Sequence, residues 1–425
     1  MVRLKRERWT SEQAAAISCR VIPVLVAGCF CVAFLLAWGA NWLALIPWRG
    51  SVGQHWTERA RLLHPARKAA RSNLCLITGA MVFVGLVVDP TLNILVTAVP
   101  ALLGALLGGY PMSRELFPET RFKSWLHLVL ATLLLVLGFW LVILIGALAM
   151  PEHFGLLTWI IAGTVLFLQV AFLSGLGIRL LRWLRLLKPA PESLQVLVRE
   201  MSQKMQVAVR ATWVLATHLS NAAALPLARQ LVFTAKLLAT HPDDEIKAIC
   251  AHELGHLNES RKVIFVRTLV ALSLFPLIFL KPVGTLIGLT NSILLLLLPV
   301  LVLLLVGFRL GRRMEKRADR IAVKDQFVEP AVYAKALERL YQTNLMPAVL
   351  PRRAHRIHPD LYDRMLAAGV TPDFPKPAPA KSLSWSSYLA AAGLLAVLML
   401  AFLVRVLWVV WHASPDSSLI DAGGG

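Results

Sequence analysis

A series of long apolar segments constrains the fold of this chain more than any other feature. The runs at 21–47, 126–150, 156–180 and 388–411 each reach the length of about 20 residues that a helix needs to cross a bilayer. Hydrophobic residues make up 57% of the 425 residues, and the mean hydropathy is +0.65. A water-soluble domain would expose much of this apolar surface, so the sequence predicts a mainly α-helical, polytopic membrane protein.

Two pairs of shorter apolar runs leave the number of crossings open. Residues 74–88 and 92–109 are separated by Asp89-Pro90, and each is marginal for a full span. Residues 262–280 and 285–306 are separated by Lys281-Pro282, and this pair predicts a transmembrane hairpin. The total is then seven or eight crossings.

Gly104 and Gly108 lie four residues apart within the run 92–109. This spacing is typical of helices whose backbones come into close contact. Glycines that face lipid fit the pattern equally well, so the sequence leaves both interpretations open.

The chain is strongly basic, with a formal net charge of +20. Its Lys and Arg residues cluster beside apolar runs, as at Arg179, Arg182, Arg185 and Lys188. This placement favours contact with anionic lipid headgroups of a bilayer. Nucleic acid is not expected as a partner, because no aromatic and basic recognition module accompanies the charge.

The distribution of charge also predicts an orientation. The polar segments 110–125, 181–261 and 307–386 carry several Lys and Arg, whereas the loop 151–155 and the tail after residue 411 carry none. The positive-inside rule therefore places both large polar segments on the cytoplasmic side of a cell (inner) membrane. Residues 1–20 and 48–73 are both basic, so the side of the N-terminus stays open.

His252-Glu253-Leu254-Gly255-His256 is an H-E-x-x-H sequence. We expect a helix over Asp243–Leu257, on which residues four apart share one face, so that both imidazoles can bind one Zn²⁺. Glu253 can then reach a water molecule at the metal and act as general base. The alternative is a helix with two solvated or hydrogen-bonded histidines, and other parts of the sequence must decide between them.

A catalytic zinc site needs a third protein ligand, and Glu315 is the candidate. It follows the predicted hairpin, which would return the chain to the side where the H-E-x-x-H helix ends. Asp319 lies four residues further on, where it can accept a hydrogen bond from a ligand histidine. The alternative is a solvated basic helix with ordinary pairs of opposite charges.

The H-E-x-x-H sequence, a hairpin and then Glu315-x-x-Ala318-Asp319 resemble the integral-membrane gluzincins, which include the HtpX proteases and the type I CAAX prenyl proteases. The resemblance covers roughly residues 190–370. Further matching elements are Pro191-Glu192-Ser193-Leu194, Asn221-Ala222-Ala223-Ala224 (with Ala223 in place of the usual aromatic residue), Leu231-Val232-Phe233-Thr234, and His358-Pro359 followed by Arg364.

The resemblance implies a zincin-type α+β catalytic domain interrupted by the transmembrane hairpin, with one Zn²⁺ per chain. His252, His256 and Glu315 would bind the metal, Glu253 would activate water, and Asp319 would orient a ligand. His358 and Arg364 would lie near the metal and stabilise the oxyanion. The segment Thr212–Thr234 would form a small sheet whose edge binds an extended peptide, with Asn221 on that edge.

Five segments follow from these patterns. They are an N-terminal membrane region with about four or five spans (1–180), the first catalytic part with the H-E-x-x-H helix (181–261), the hairpin (262–306), the second catalytic part with the third ligand (307–386), and a last span with a short tail (387–425).

The expected function is hydrolysis of peptide bonds in membrane or misfolded proteins by a zinc metalloendopeptidase. The first alternative is a processing protease of the CAAX type, which would use the same site. A site-2-type intramembrane protease would need the motif inside a span and a Leu-Asp-Gly sequence, which the chain lacks. A catalytically silent scaffold of the same fold and a transporter are the remaining alternatives. The physiological substrate, the cleavage specificity and the oligomeric state stay open.

Overall fold

The computed structural model describes residues 11–88, 94–323, 327–351 and 359–413. They form many helices and one small sheet, and they divide into two compact units. The first unit comprises the described residues up to His55, Leu62–Pro118 and those from Ala380 onward; the second comprises Trp56–Arg61 and Glu119–Pro379. The second unit thus begins inside the predicted N-terminal membrane region. The mainly α, membrane-type fold with a small sheet is confirmed.

The first unit is helical. Its longest helix, α1, packs on α4 and α18. The helices are α1 (Ser11–Ala44), α2 (Ile46–Arg49), most of α3 (Trp56–Val88), α4 (Ile94–Leu107), α5 (Tyr110–Leu116) and α18 (Trp385–Ala413).

Gly104 and Gly108 form the contact between α4 and α1. A Cβ atom on Gly104 would lie 2.2 Å from the carbonyl oxygen of Phe30, and one on Gly108 would lie 2.6 Å from that of Phe34. Only glycine permits backbones to approach this closely. Of the two interpretations of this spacing, the structure selects the helix contact.

The second unit contains the other helices. They are α6 (Phe122–Thr132), a π-helical turn (Leu133–Leu137), α7 (Gly138–Ala149), α8 (Leu156–Leu173), α9 (Leu176–Trp183), α10 (Glu192–Lys204), α11 (Ala235–Thr240), α12 (Asp243–Leu257), α13 (Arg261–Leu272), a 3-10 helix (Phe275–Phe279), α14 (Leu280–Ile287), α15 (Leu289–Val323), α16 (Pro330–Thr343) and α17 (Leu361–Ala367).

A four-stranded mixed sheet lies in the second unit, with the strand order β1-β2-β4-β3. Strands β2 and β4 are parallel, and the other two pairs are antiparallel. β3 therefore forms one edge of the sheet. The strands are β1 (Leu187–Pro189), β2 (Ala211–Leu215), β3 (Ala222–Leu225) and β4 (Gln230–Thr234).

The two faces of the sheet pack on different cores. On β4, Leu231 and Phe233 are buried in the core that α10, α12 and α16 share. Val232 is buried on the opposite face, where it packs with Ile178 and Leu181 of α9. This alternation is what a strand buried on both faces requires. It anchors α12 to one side of the sheet.

Five helical segments of the described residues are long and apolar enough to cross a membrane, and a sixth is added if α6 and α7, bent by 58°, form one span. The predicted run 74–88 is the second part of α3 and is not among these spans, whereas the run 388–411 lies in α18, of which the fully described part is the shorter apolar stretch Trp385–Ala396. The five spans are Pro23–Ala44, Leu95–Leu116, Leu156–Leu173, Arg261–Ile287 and Leu289–Val323.

The turn of the hairpin lies at Gly288, so the predicted break at Lys281-Pro282 is wrong. Pro282 falls in the first turn of α14, where a missing N–H costs no intrahelical hydrogen bond. Gly288 has a φ of +81°, a left-handed conformation that favours glycine. The helices α13 and α15 on either side of this turn pack against each other.

Helix α15 extends beyond the membrane-crossing part of the hairpin. It has 35 residues and is therefore about 52 Å long at 1.5 Å per residue, whereas the hydrocarbon layer is about 30 Å thick. Residues 289–308 are apolar apart from a few small polar side chains, and the cationic residues begin at Arg309. Glu315 thus lies on the polar extension of a membrane helix.

Gly104→Leu should destabilise the first unit, because the new side chain would clash with backbone atoms of α1 that cannot move aside. We expect a loss of about 3 kcal/mol or more in stability, at the upper end of overpacking effects. Thermal unfolding in detergent measures it. Gly79→Leu is the control, since a Cβ at Gly79 of α3 has no atom within 4 Å. Equal unfolding midpoints for both variants would contradict the proposed contact.

Candidate metal centre

Helix α12 runs from Asp243 to Leu257, as the sequence predicted. The first turn contains three acidic residues, Asp243, Asp244 and Glu245. Their negative charges interact favourably with the positive end of the helix dipole. Its apolar side chains are buried between α10, α15, α16 and the sheet. This packing presents His252 and His256 on one face, with their ring centroids 4.9 Å apart.

Gly255 lets α15 approach this face of α12. A Cβ atom at Gly255 would lie 3.1 Å from the Cα of Ala318, which is itself buried. The two small residues therefore bring the backbones of the two helices together. Glu315 lies one helical turn before Ala318, so the approach places its carboxylate at the histidine pair.

The three side chains form a group that fits a metal ion. His252 Nε2 lies 3.7 Å from Glu315 Oε2, and His256 Nε2 lies 3.4 Å from Glu315 Oε1. The ligand atoms of all three residues lie within 4.8 Å of one another. Ligands about 2.0 Å from a tetrahedral zinc ion are about 3.3 Å apart, so two of these separations are close to those of a loaded site.

A buried hydrogen-bond network supports His252 on its other side. His252 Nδ1 donates to Asp319 Oδ1 over 3.0 Å, which leaves Nε2 free to face the metal. The Tyr333 hydroxyl donates to the same carboxylate oxygen over 2.6 Å. Arg364 donates to both oxygens of Asp319, over 3.0 and 2.7 Å, and to the hydroxyl of Tyr333 over 3.2 Å.

His256 has a carboxylate partner of its own, Glu259. The Nδ1 atom of His256 lies 3.6 Å from Glu259 Oε1, and Arg267 donates a hydrogen bond to the same oxygen. Burial lowers the pKa of His256, but the hydrogen bond with Glu259 and the charges of Glu253 and Glu315 outweigh it, so the pKa is raised above its ordinary value. The surrounding carboxylates thus favour positive charge here, which also favours a bound cation.

The remaining predicted site residues lie at different places. Glu253 is partly buried on α12, next to His252. Asn221 is exposed immediately before β3, and its backbone exchanges hydrogen bonds with Thr234. The contacts of buried Arg364 favour a positioning role, and its predicted oxyanion role stays a prediction. His358 lies outside the described residues.

The sequence analysis did not identify Tyr333 and Glu259. Tyr333 lies on the amphipathic helix α16 and is fully buried, so its pattern is that of an ordinary core aromatic residue. Only the tertiary structure shows that its hydroxyl points at Asp319. Glu259 follows His256 by three residues, and this helical spacing is a signal that was available in the sequence.

Comparisons with known proteins give two findings. Residues 190–369 match the model of peptidase family M48. The structure is similar to the crystal structure of Ste24p from S. mikatae, with a TM-score of 0.50 and 15% sequence identity over 82% of this chain and 98% of that chain. At this identity the similarity concerns the fold alone. A search of curated proteins gives no match.

Gly255→Val should weaken zinc binding without removing any ligand. Its branched side chain would push α15 away at Ala318 and move Glu315 outward, so we expect about 10- to 100-fold lower affinity, as for other changes that misplace ligands. Competition with a chromophoric chelator measures the affinity. Gly284→Val is the matched control, because a Cβ at Gly284 has no atom within 4 Å. Unchanged affinity in Gly255→Val would contradict the role of this contact.

Tyr333→Phe removes one hydroxyl from the network behind His252 and keeps the ring that packs in the core. Asp319 loses its bond from the hydroxyl, so it should hold His252 less firmly. We expect about 10-fold weaker zinc binding, or about 1.4 kcal/mol. The same chelator competition measures this change, with Tyr362→Phe on α17 as the control. Equal affinities of the two variants would show that the hydroxyl does not position His252.

Proposed function

Because residues 190–369 match the model of peptidase family M48, we propose that the chain is a multi-pass membrane zinc endopeptidase of this family whose centre is His252, Glu253, His256 and Glu315. The single observation that carries this proposal is the convergence of both histidines of α12 with Glu315 of α15, within 4.8 Å. The two segments are 59 residues apart in the chain, and a membrane hairpin separates them. A solvated helix with unrelated charges would give no reason for such a convergence.

The centre fits the chemistry of peptide hydrolysis. His252, His256 and Glu315 would hold the zinc ion, which would supply Lewis-acid chemistry to the scissile carbonyl and to a water molecule. Glu253 takes up the proton of the attacking water and passes it to the leaving nitrogen. The neighbouring position of Glu253 and His252 on α12 supports this assignment. Burial raises the pKa of the Cys250 thiol, which keeps this nearby residue protonated and unsuited as a nucleophile.

Asp319, Tyr333 and Arg364 keep His252 in the orientation that binds the metal. Asp319 is the hydrogen-bond acceptor of Nδ1, and it in turn accepts bonds from the other two residues. Such outer partners orient a ligand ring and raise its basicity. Glu259 and Arg267 form the corresponding pair behind His256. Each ligand histidine therefore has a carboxylate partner that an arginine anchors.

We place the centre on the cytoplasmic side of a cell membrane. Both ends of the hairpin near the centre are basic, with Arg261 and Lys262 at the start of α13 and Arg309, Arg312 and Arg313 on α15. The far end has Lys281, which donates hydrogen bonds to the carbonyl groups of Leu148 and Met150. The positive-inside rule favours this orientation.

We further propose that an extended polypeptide binds along the edge strand β3 by adding a strand to the sheet. β3 pairs with β4 on one side only, and it packs against α12. Asn221 precedes the strand and is exposed, so its side chain is available to a bound peptide. Membrane or misfolded proteins are the substrate class that a membrane-resident centre of this kind would meet.

The alternatives differ in what supports them. A site-2-type protease would carry the motif within a span, but α12 is not one of the candidate spans of the described residues. A catalytically silent scaffold would not need the metal ligands, the general base and their hydrogen-bond partners to lie together in one site. CAAX-type processing would use the same centre on another substrate, so it differs in specificity only.

Glu253→Gln should retain zinc and lose cleavage. The amide is similar in size but cannot accept the proton, so we expect activity to fall by about 10²- to 10⁴-fold. Cleavage of unfolded casein by the purified protein in detergent, together with elemental analysis for zinc, measures both properties. Persistent cleavage by this variant would contradict the role of Glu253 as general base.

Glu315→Ala is the matched comparison for that experiment, because it removes a ligand and keeps the general base. It should lose both zinc and activity. A variant that keeps its full zinc content would remove Glu315 from the set of ligands, whatever the result with Glu253→Gln.

A further inference from the structure

The side chains of β3 alternate between the two faces of the sheet. Ala222 and Ala224 pack against the core that contains α12. Leu225, the last residue of the strand, packs with the core on the opposite face. A peptide added along β3 would alternate in the same way, since successive side chains of a strand point to opposite faces. Every second side chain of the peptide would therefore face away from α12.

A cavity of about 360 Å³ lies at Leu225, the β3 residue that packs on the face of the sheet away from α12. Its wall comes from the π-helical turn, α7, α8, α9, α13 and α15, together with Leu225 and Ala228. All the residues that line it are apolar or glycine, and Leu135, Phe139, Phe172, Ala271 and Leu304 are among them. The cavity thus connects the membrane helices of the second unit with the edge of its sheet.

A bend between two helices lies at the cavity. The π-helical turn joins α6 to α7 with a bend of 58°, and Leu134 and Leu135 of this turn line the cavity. Two glycines permit the close contacts on either side of it. A Cβ at Gly177 would lie 2.6 Å from the carbonyl oxygen of Leu134, and one at Gly138 would lie 2.8 Å from the ring of Phe172. Larger residues at these two positions would prevent this packing. The cavity itself is partly open, and the exposed residue Trp140 is among those that line it.

We propose that this cavity is a specificity pocket for a bulky apolar side chain of the peptide bound along β3. The inference rests on the proposed function, because it assumes a peptide at that edge. Strand addition provides affinity through the backbone, and pockets for alternate side chains provide selectivity. The cavity lies on the face of the sheet that every second side chain of such a peptide would face, and its apolar lining suits leucine or phenylalanine.

A lipid acyl chain is the competing occupant. The cavity includes Leu225 and Ala228 of the sheet region, at the end of the strand that would bind the peptide. None of the residues that line it in the described part of the chain carries a charge that would hold a phospholipid headgroup. These two features favour a side chain of the substrate.

The test uses peptides that differ at one position only. A single leucine, moved along a background of alanine and serine around one cleavage site, should raise kcat/KM by about 10-fold or more at one position. Ala271→Phe fills the cavity from α13, and it should lower kcat/KM for the preferred leucine peptide more than for the background peptide, so that the ratio of the two falls towards one. Leu269→Phe is the matched control on the same helix, since Leu269 is 41% exposed and does not line the cavity.

Leu135→Ala supplies a second variant in case Ala271→Phe does not fold. It enlarges the cavity, and the preference should shift from leucine towards tryptophan at the same position.

Three results would overturn the pocket while leaving the proposed protease intact. They are equal cleavage of all peptides by the wild type, equal loss for every peptide in Ala271→Phe with zinc retained, and loss of co-purified phospholipid in that variant with no change in peptide preference. A different result would contradict the proposed function itself, namely a wild-type protein that binds no zinc or cleaves no peptide.

Discussion

The close contact between α12 and α15 is the constraint on which the rest of the second unit depends. Because Gly255 has no side chain and Ala318 has only a methyl group, a long membrane helix lies directly against the helix that carries both histidines. Because α15 is continuous from Leu289 to Val323, the position of its apolar part in the bilayer and the position of Glu315 are set together. The membrane hairpin is thus a structural part of the centre.

Buried charge is tolerated next to this contact because each charged group has several partners. Asp319 accepts hydrogen bonds from His252, Tyr333 and Arg364, and Arg364 is itself buried between these residues. A buried carboxylate or guanidinium without partners would cost several kcal/mol. The network therefore explains how a polar centre can be rigid inside a core that is otherwise apolar. Arg339 and Glu245 tie α16, which carries Tyr333, to the start of α12 in the same way.

Much of the centre could be predicted from the sequence, because its main elements are local patterns. The H-E-x-x-H spacing places both histidines on one face because they lie on one helix. The acidic first turn and the apolar face predicted the bounds of α12 that the structure shows. Glu315 followed from the topology of a hairpin that must return to the side from which it left. The hairpin turn was misplaced, because Lys281-Pro282 has the composition of a loop but Pro282 fits a first helical turn.

The sequence by itself determined the class of protein, the histidine pair with its candidate general base, and the candidate third ligand, since hydropathy and helical periodicity are local properties of the chain. The tertiary structure alone decided the partners of these residues. Tyr333 and Arg364 meet Asp319 from separate helices, and the cavity at the end of β3 is bounded by segments from Leu134 to Leu304. Such contacts depend on how helices pack across long stretches of chain, and no spacing along the sequence encodes them directly.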